Sequence, residues 1–184
     1  MSLMVPLDLE GLVTQQLVFT VLASDRPGLV ETLADVIAEA GGNWVESSMA
    51  RLGGEFAGIV SAEIPNSSVD SLKTRLAALK EDGINVTVRA HEVAADAQVG
   101  TSAHLEITSQ DHPGILRDVT QVLAQHKVSI EQLETSVEQG SMQGGAMFRA
   151  FAELRLPDGL TPDKLSEALH ETAGDLMAEI TPAD

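Results

Sequence analysis

Short apolar stretches of two kinds alternate at the start of the chain. Residues 17–23 predict a strand that places Phe19 and Val21 on one face and polar or mixed residues on the other. Residues 27–40 instead carry apolar side chains at the spacing of an amphipathic helix, at positions 29, 33, 36 and 37. Gly41-Gly42 is a helix stop signal. The chain is therefore predicted to begin with a strand followed by a helix.

Three further strands and a second helix complete this first pattern. Strands are predicted over residues 43–52, 56–64 and 84–88. Gly53-Gly54 joins the first two as a two-residue hairpin. Asn66-Ser67-Ser68 is predicted to supply capping side chains for a helix with one apolar face, which carries Val69, Leu72, Leu76 and Leu79. The order of elements is βαββαβ.

The whole pattern occurs twice. Asp25-Arg26-Pro27-Gly28-Leu29 recurs 86 residues later as Asp111-His112-Pro113-Gly114-Ile115, and the helical apolar positions recur at the same offset. A period of this length exceeds that of solenoid repeats, so each copy is predicted to be a small domain with its own core. We predict a first domain over residues 14–92, a linker over 93–101 and a second domain over 102–182.

A βαββαβ order with right-handed crossovers predicts an α+β fold of the ferredoxin-like type. Each domain is then a four-stranded antiparallel sheet with two helices on one face. In this topology the turn after the first strand, the hairpin and the turn before the fourth strand share one end of the sheet. Pro65 and Pro157 lie 92 residues apart rather than 86, which places six extra residues in the hairpin at 138–145, beside the second Asp-x-Pro-Gly turn.

Composition and charge exclude several classes of partner. The chain has 184 residues, 43% of them hydrophobic, and no cysteine, which excludes disulfides and suits a cytoplasmic protein. Eleven basic residues stand against 28 acidic ones, a net charge of −17, so we expect no direct nucleic-acid partner. No apolar run reaches the length of a membrane span, so no membrane partner is expected either.

A ferredoxin-like sheet can also bind RNA, through exposed aromatic side chains with basic surroundings. The outward positions of the two first strands offer no such stacking platform: Val18, Thr20, Leu22, His104, Glu106 and Thr108. The five histidines lack the spacing of zinc sites, and no nucleophile motif or phosphate loop is present. We therefore expect no metal, no cofactor and no enzymatic activity.

The repeated turn is the candidate binding element. A Pro-Gly pair at a helix start leaves backbone N–H groups without partners, here at residues 28–30 and again at 114–116. Together with the helix dipole, these donors can hold a carboxylate or a phosphate. The alternative is that Asp25 and Asp111 only satisfy the turn and the helix start, and the residues themselves leave both interpretations open.

The doubled motif within this order of elements resembles the ACT domain, a regulatory module that binds amino acids. The resemblance rests on residues 25–29 with 40–44 and on residues 111–115 with 127–130, and it extends over about residues 14–182. Two such units in tandem, with residues 49–56 in the first hairpin, look most like the glycine cleavage system transcriptional repressor family.

The resemblance also implies where a ligand would bind. In ACT proteins the effector commonly lies between two units, where the first turn of one unit faces the start of the second strand of the other. Carried over, one pocket combines Asp111, His112, Gly114 and Ile115 with Asn43, and its counterpart combines Asp25, Arg26, Gly28 and Leu29 with Ser129. Since Ser129 replaces the usual asparagine and is shorter, we expect the pocket with Asn43 to be the functional one.

These inferences lead to two hypotheses. The first is a non-catalytic regulatory protein that senses a small amino acid, with glycine as the first candidate, and acts on a protein partner such as a transcription factor. Backbone donors suit the carboxylate of such a ligand, and Asp and Asn oxygens suit its ammonium group. The second is a structural subunit with vacant ACT pockets that regulates an enzyme by association. A homodimer is compatible with either.

Overall fold

The fold consists of two compact units, divided between residues 94 and 95. The computed structural model describes residues 13–90, 100–139, 145–172 and 176–183. Residues 93–99 of the predicted linker lie outside this part of the chain, so its bounds stay a prediction. No helix of the described residues is long and apolar enough to cross a bilayer.

The first unit has the predicted βαββαβ order. Its elements are β1 (Thr14–Ser24), α1 (Leu29–Glu39), β2 (Asn43–Leu52), β3 (Glu55–Pro65), α2 (Val69–Ala78) and β4 (Ile84–Ala90). The strands form one sheet in the order β2-β3-β1-β4, and all neighbours are antiparallel.

The second unit repeats this topology. Its elements are β5 (Thr101–Gln110), α3 (Ile115–Gln125), β6 (Ser129–Gln139), β7 (Ala146–Leu156), α4 (Pro162–Thr172) and β8 (Met177–Pro182). The strand order β6-β7-β5-β8 is that of the first sheet, again antiparallel throughout. The predicted pair of ferredoxin-like domains is thus confirmed.

Each unit has its own core on one face of its sheet. Every second residue of β1 is buried, namely Leu17, Phe19, Val21 and Ala23. The apolar faces of both helices pack onto that side of the sheet. In the second unit Ala103, Leu105 and Ile107 of β5 take the corresponding places, under α3 and α4. One-sided burial explains the alternation in the sequence, because successive residues of a strand point to opposite faces.

The two hairpins differ by six residues, as predicted. Leu52 pairs with Glu55 across the short hairpin, where Gly53 and Gly54 have φ values of 62° and 86°. These left-handed conformations match the twist of a two-residue hairpin. The corresponding pair in the second unit is Glu138 and Met147. The tip of that hairpin, residues 140–144, lies outside the described residues.

Two predicted helix starts need correction. The first helix begins at Leu29 and not at Pro27, because Gly28 adopts a left-handed conformation with φ of 90°. The predicted capping by Asn66-Ser67-Ser68 is wrong. These residues form a 3₁₀ turn that leads into α2, and no side chain caps that helix. The backbone of this 3₁₀ turn continues directly into α2. The side chains of Asn66, Ser67 and Ser68 therefore do not accept hydrogen bonds from N–H groups at the start of α2.

The ends of α1 and α3 have the same hydrogen bonds but different residues. Gly42 N–H donates to Ile37 O and Val128 N–H donates to Leu123 O, both at 2.9 Å. In each case the residue before the donor is left-handed. It is Gly41 in the first unit, with φ of 71°, and Lys127 in the second, with φ of 56°. Glycine adopts this conformation without the steric cost that a Cβ imposes.

Lys127→Gly is therefore expected to stabilise the second unit. Removal of the Cβ relieves a left-handed conformation that costs a side-chain-bearing residue about 1 kcal/mol. The measurement is the urea midpoint of the full chain, followed by circular dichroism. The matched control is the reverse exchange, Gly41→Lys. It is expected to destabilise by a similar amount, since a Cβ there meets only ordinary contact with Pro65 Cγ at 3.8 Å. A destabilised Lys127→Gly variant would contradict this account.

Candidate ligand-binding turns

Three connections of the first unit meet at one end of its sheet. The backbone N–H of Asp25, after β1, donates to Gly54 O in the hairpin at 2.9 Å. The Nη2 of Arg26 donates to Asp82 O, before β4, at 2.8 Å. The turn is thereby tied to both neighbouring connections, which confirms the predicted arrangement.

The second turn has the corresponding contact with its own hairpin. The backbone N–H of Asp111 donates to Ala146 O, at the start of β7, at 2.7 Å. The predicted proximity of the Asp-His-Pro-Gly turn to the enlarged hairpin is therefore observed at the base of that hairpin. His112 is exposed, and its Nδ1 lies 3.3 Å from Pro113 O.

Glycine opens both helices at these turns. Gly28 and Gly114 have φ values of 90° and 105°, which favour glycine, and each carbonyl accepts the backbone N–H of the residue four positions on. No side chain caps either α1 or α3. The interpretation in which Asp25 and Asp111 only cap the helix starts is thus not supported. The first-turn N–H groups point toward the turn, as an anion would require.

The two aspartates have different neighbours. The carboxylate of Asp25 forms an ion pair with Arg51 of β2, with 2.7 Å between Oδ2 and Nε. Arg51 lies opposite Phe56 in the first sheet, and Val137 lies opposite Phe148 in the second. Val137 therefore takes the place of Arg51 and offers Asp111 no cation. Asp111 therefore has no arginine at the position that pairs with Asp25 in the first unit.

The glycines also have opposite charges beside them. A Cβ on Gly114 would lie 3.4 Å from Nη2 of Arg117, whereas a Cβ on Gly28 would lie 3.9 Å from Oε2 of Glu31. Arg117 and Glu31 are equivalent residues, 86 positions apart. The Arg117 side chain also forms an ion pair with Asp118, at 2.8 Å. The charged group nearest Gly114 is thus a guanidinium paired with Asp118, whose Oδ2 is 3.9 Å from the same Cβ, whereas the group nearest Gly28 is a carboxylate.

Arg51, Glu31 and Arg117 are not among the site residues that the sequence predicted. The signal for the last two was present, because aligning the repeats at the 86-residue offset exposes the reversal of charge. Arg51 required the strand register, since it lies far along the chain from Asp25. Conversely, Leu29 and Ile115 were predicted to line the ligand, and their side chains are only 3% and 4% exposed. Their backbone N–H groups are what they can offer to a ligand.

Asn43 and Ser129 begin β2 and β6, at the opposite end of each sheet from the turn of the same unit. The length of a ten-residue strand separates them from that turn, about 30 Å. Asn43 lies opposite Glu63, and Ser129 lies opposite Arg155, whose guanidinium pairs with Glu131 at 2.9 Å. Neither unit by itself brings its strand start to its turn, so the pairing of Asn43 with the second turn stays a prediction.

No group of three or more His, Cys, Asp or Glu side chains in the described part of the chain is arranged to hold a metal ion. The aromatic content of the outer sheet faces was underestimated from the sequence. Phe151 of β7 lies on the outer face of the second sheet and stacks on His104, with ring centroids 5.6 Å apart. Its neighbours across the strands are Glu106 and Glu134, which gives it acidic and not basic surroundings.

Comparison with known proteins gives the same description for both units. A family model described as "ACT domain" matches residues 15–89, and a second model of the same description matches residues 103–161. Together the two matches cover well over half of the chain. No curated protein sequence matches it.

Two solved structures share the fold of nearly the whole chain. An unknown protein from Galdieria sulphuraria is 26% identical, with a TM-score of 0.78, and the match covers 94% of this chain and 100% of that one. A protein provisionally described as a glycine cleavage system transcriptional repressor is 22% identical, with a TM-score of 0.68, and the match covers 94% and 99% of the two chains. The tandem arrangement of two such units is thus found in other proteins.

The charge difference between the turns predicts unequal anion binding. In a titration of the full chain with acetate, followed by amide NMR, the amides of Ile115 and Leu116 are expected to respond at lower concentration than those of Leu29 and Val30. A difference of about threefold to tenfold is expected from one charge near a helix start. Sodium chloride at matched ionic strength is the control for screening.

The reciprocal variants test the cause of that difference. Arg117→Glu is expected to reduce the response of the second turn to that of the first or below it, because Asp118 stays beside the helix start, and Glu31→Arg is expected to raise the response of the first. Equal acetate responses of the two turns in the unaltered chain would contradict the assignment.

Proposed function

The chain belongs to the ACT-domain family, and on this premise we propose that it is a non-catalytic regulatory protein that binds a small amino acid at its Asp-x-Pro-Gly turns. The observation that carries the proposal is the second turn. There an uncapped helix start, a left-handed glycine and the Arg117 guanidinium lie together. These groups suit a carboxylate, and the neighbouring Asp111 suits an ammonium group.

Asn43 is the proposed second contact with the ammonium or carboxylate of the ligand, as the resemblance to ACT proteins implies. Its side chain can both donate and accept hydrogen bonds. Glycine is the first candidate ligand. This rests on the sequence resemblance to the glycine cleavage system repressor family, and on the shared fold of a protein provisionally described by that name.

The proposed output is contact with a protein partner, such as a transcription factor, in the cytoplasm. A ligand can regulate such a contact only if it binds two states of the protein with different affinity. The net charge of −17 argues against direct contact with nucleic acid, since that contact depends on basic side chains that replace counterions.

The charges around the first turn favour the second hypothesis, a vacant pocket, at that turn. Asp25 is already paired with Arg51, and Glu31 lies beside Gly28. A carboxylate ligand would meet the Glu31 carboxylate at the helix start, and an ammonium group would have to displace Arg51 from Asp25. The first turn is therefore proposed to serve assembly and not sensing, as in a vacant ACT pocket.

Calorimetric titration of the full chain with each of the twenty amino acids tests the proposal. We expect a saturable response to glycine or to another small amino acid. Asn43→Ala is expected to weaken it about tenfold to a hundredfold, the effect of one lost hydrogen bond to a charged group. The matched control, Ser129→Ala, is expected to change it less than about twofold. No saturable response at millimolar concentration would support the vacant-pocket alternative, and equal effects of the two variants would contradict the asymmetry.

A further inference from the structure

The outer face of the second sheet, opposite its helices, carries two cross-strand rows of polar, charged and aromatic side chains. The first row is Ser136, Arg149 and Thr108, on β6, β7 and β5 in that order. The second row is Glu134, Phe151 and Glu106, on the same three strands. We refer to these as the arginine row and the glutamate row. Along β5 the arginine row lies three residues before Asp111 of the second turn, about 10 Å, and the glutamate row lies two residues further from it.

The two rows line one concavity of ≈310 Å³. This volume is at the lower end of the range of small-molecule sites. Its walls are the side chains of the two rows, and its floor is the backbone of the strands between them. Because all the lining residues come from regular strands, the relative positions of the two rows are set by the sheet.

The arginine row suits a carboxylate. Arg149 lies between Ser136 and Thr108 across the strands, so the row combines a guanidinium with two hydroxyl groups, and these donors match carboxylate oxygens. Its ion pair with Glu138 is loose, with 3.7 Å between Nε and Oε2, and both side chains are more than half exposed, at 61% and 57%. A pair of this kind contributes little free energy, so a ligand carboxylate can compete for the guanidinium.

The glutamate row suits a cation. Two carboxylates flank the ring of Phe151, and adjacent strands lie about 4.8 Å apart. His104 stacks on one face of that ring, so an ammonium or guanidinium group would approach the other side of the ring, between the carboxylates. Glu106 also lies directly opposite Glu179 of β8. Like charges in such a pair repel each other, and a bound cation relieves that repulsion.

The first sheet provides an internal control for the role of these side chains. The equivalent positions there are all uncharged: Ser48, Ala50, Ala57, Ile59, Thr20 and Leu22. That sheet has the same topology and strand register. The charged rows are therefore not a requirement of the fold, and their chemistry needs another explanation.

We propose that this face is a second ligand site, for a dibasic amino acid such as lysine or ornithine. The lining side chains place a guanidinium in one row and a pair of carboxylates in the other, and a dibasic amino acid carries a carboxylate and a side-chain cation that are separated in the same way. The rows are two residues apart along each strand, about 7 Å, which matches the separation of the α-carboxylate from a side-chain cation. The ligand spans the rows, with its carboxylate at Arg149 and its side-chain cation at Phe151.

Ligand pairs that differ in one group test this assignment in the full chain by amide NMR. L-lysine is expected to shift the amides of β5, β6 and β7 around the two rows and to saturate at millimolar concentration. Norleucine lacks the side-chain ammonium and cadaverine lacks the carboxylate, so each is expected to bind at least about threefold more weakly. Equal responses to all three compounds would overturn the proposal, as would lysine shifts confined to the amides of Ile115 and Leu116.

Variants separate this site from the turns. Arg149→Gln and the double variant Glu106→Gln/Glu134→Gln are each expected to weaken lysine binding at least about threefold. Neither is expected to alter the response of the turns to glycine or acetate. Both variants are expected to fold, since the first sheet has uncharged residues at these places. Glu153→Gln, on the same face but outside the concavity, is the matched control. Unchanged lysine binding in the double variant would refute the site, whatever the outcome for the turns.

Discussion

Each unit depends on one constraint, that two amphipathic helices must cover a single apolar face of a four-stranded sheet. Alternate residues of β1 and β5 are buried under those helices, and the residues between them face outward. Since both helices lie on the same side, the chain must cross over twice in the same sense. This brings the Asp-x-Pro-Gly turn, the hairpin and the approach to the last strand to one end. The position of the candidate site follows from how the core is covered.

Both units obey this packing constraint, and they differ at exposed positions that the core does not involve. The left-handed glycine at the helix start is present in both, because the backbone there admits no Cβ without strain. Around it, Glu31 is replaced by Arg117 and Arg51 by Val137. Both exchanges involve exposed side chains at the end of the sheet, where substitution costs the core nothing. They change the second turn from a site with a satisfied aspartate to one with a guanidinium at the helix start.

The fold could be predicted in detail because it depends on the periodicity of apolar residues and on glycines at turns. Strand and helix patterns place the elements within a few residues, and the change of offset from 86 to 92 locates the longer hairpin. Local chemistry was harder to predict. The serines before α2 follow a capping pattern, but the backbone there continues as a 3₁₀ turn. The Asp25 and Arg51 pair joins residues on different strands, so it becomes visible only when the register is known.

The outer faces of the two sheets also differ at positions that the core does not constrain. On the first sheet these positions hold small, hydroxyl-bearing and aliphatic side chains, and on the second they hold carboxylates, a guanidinium and an aromatic ring. Exposed charges of this kind add little stability, and Glu106 opposite Glu179 subtracts from it. A face that the fold does not need in charged form, and that lowers stability in that form, is best explained by recognition. The two units then share one architecture, but only the second presents charged groups at these outer positions for recognition.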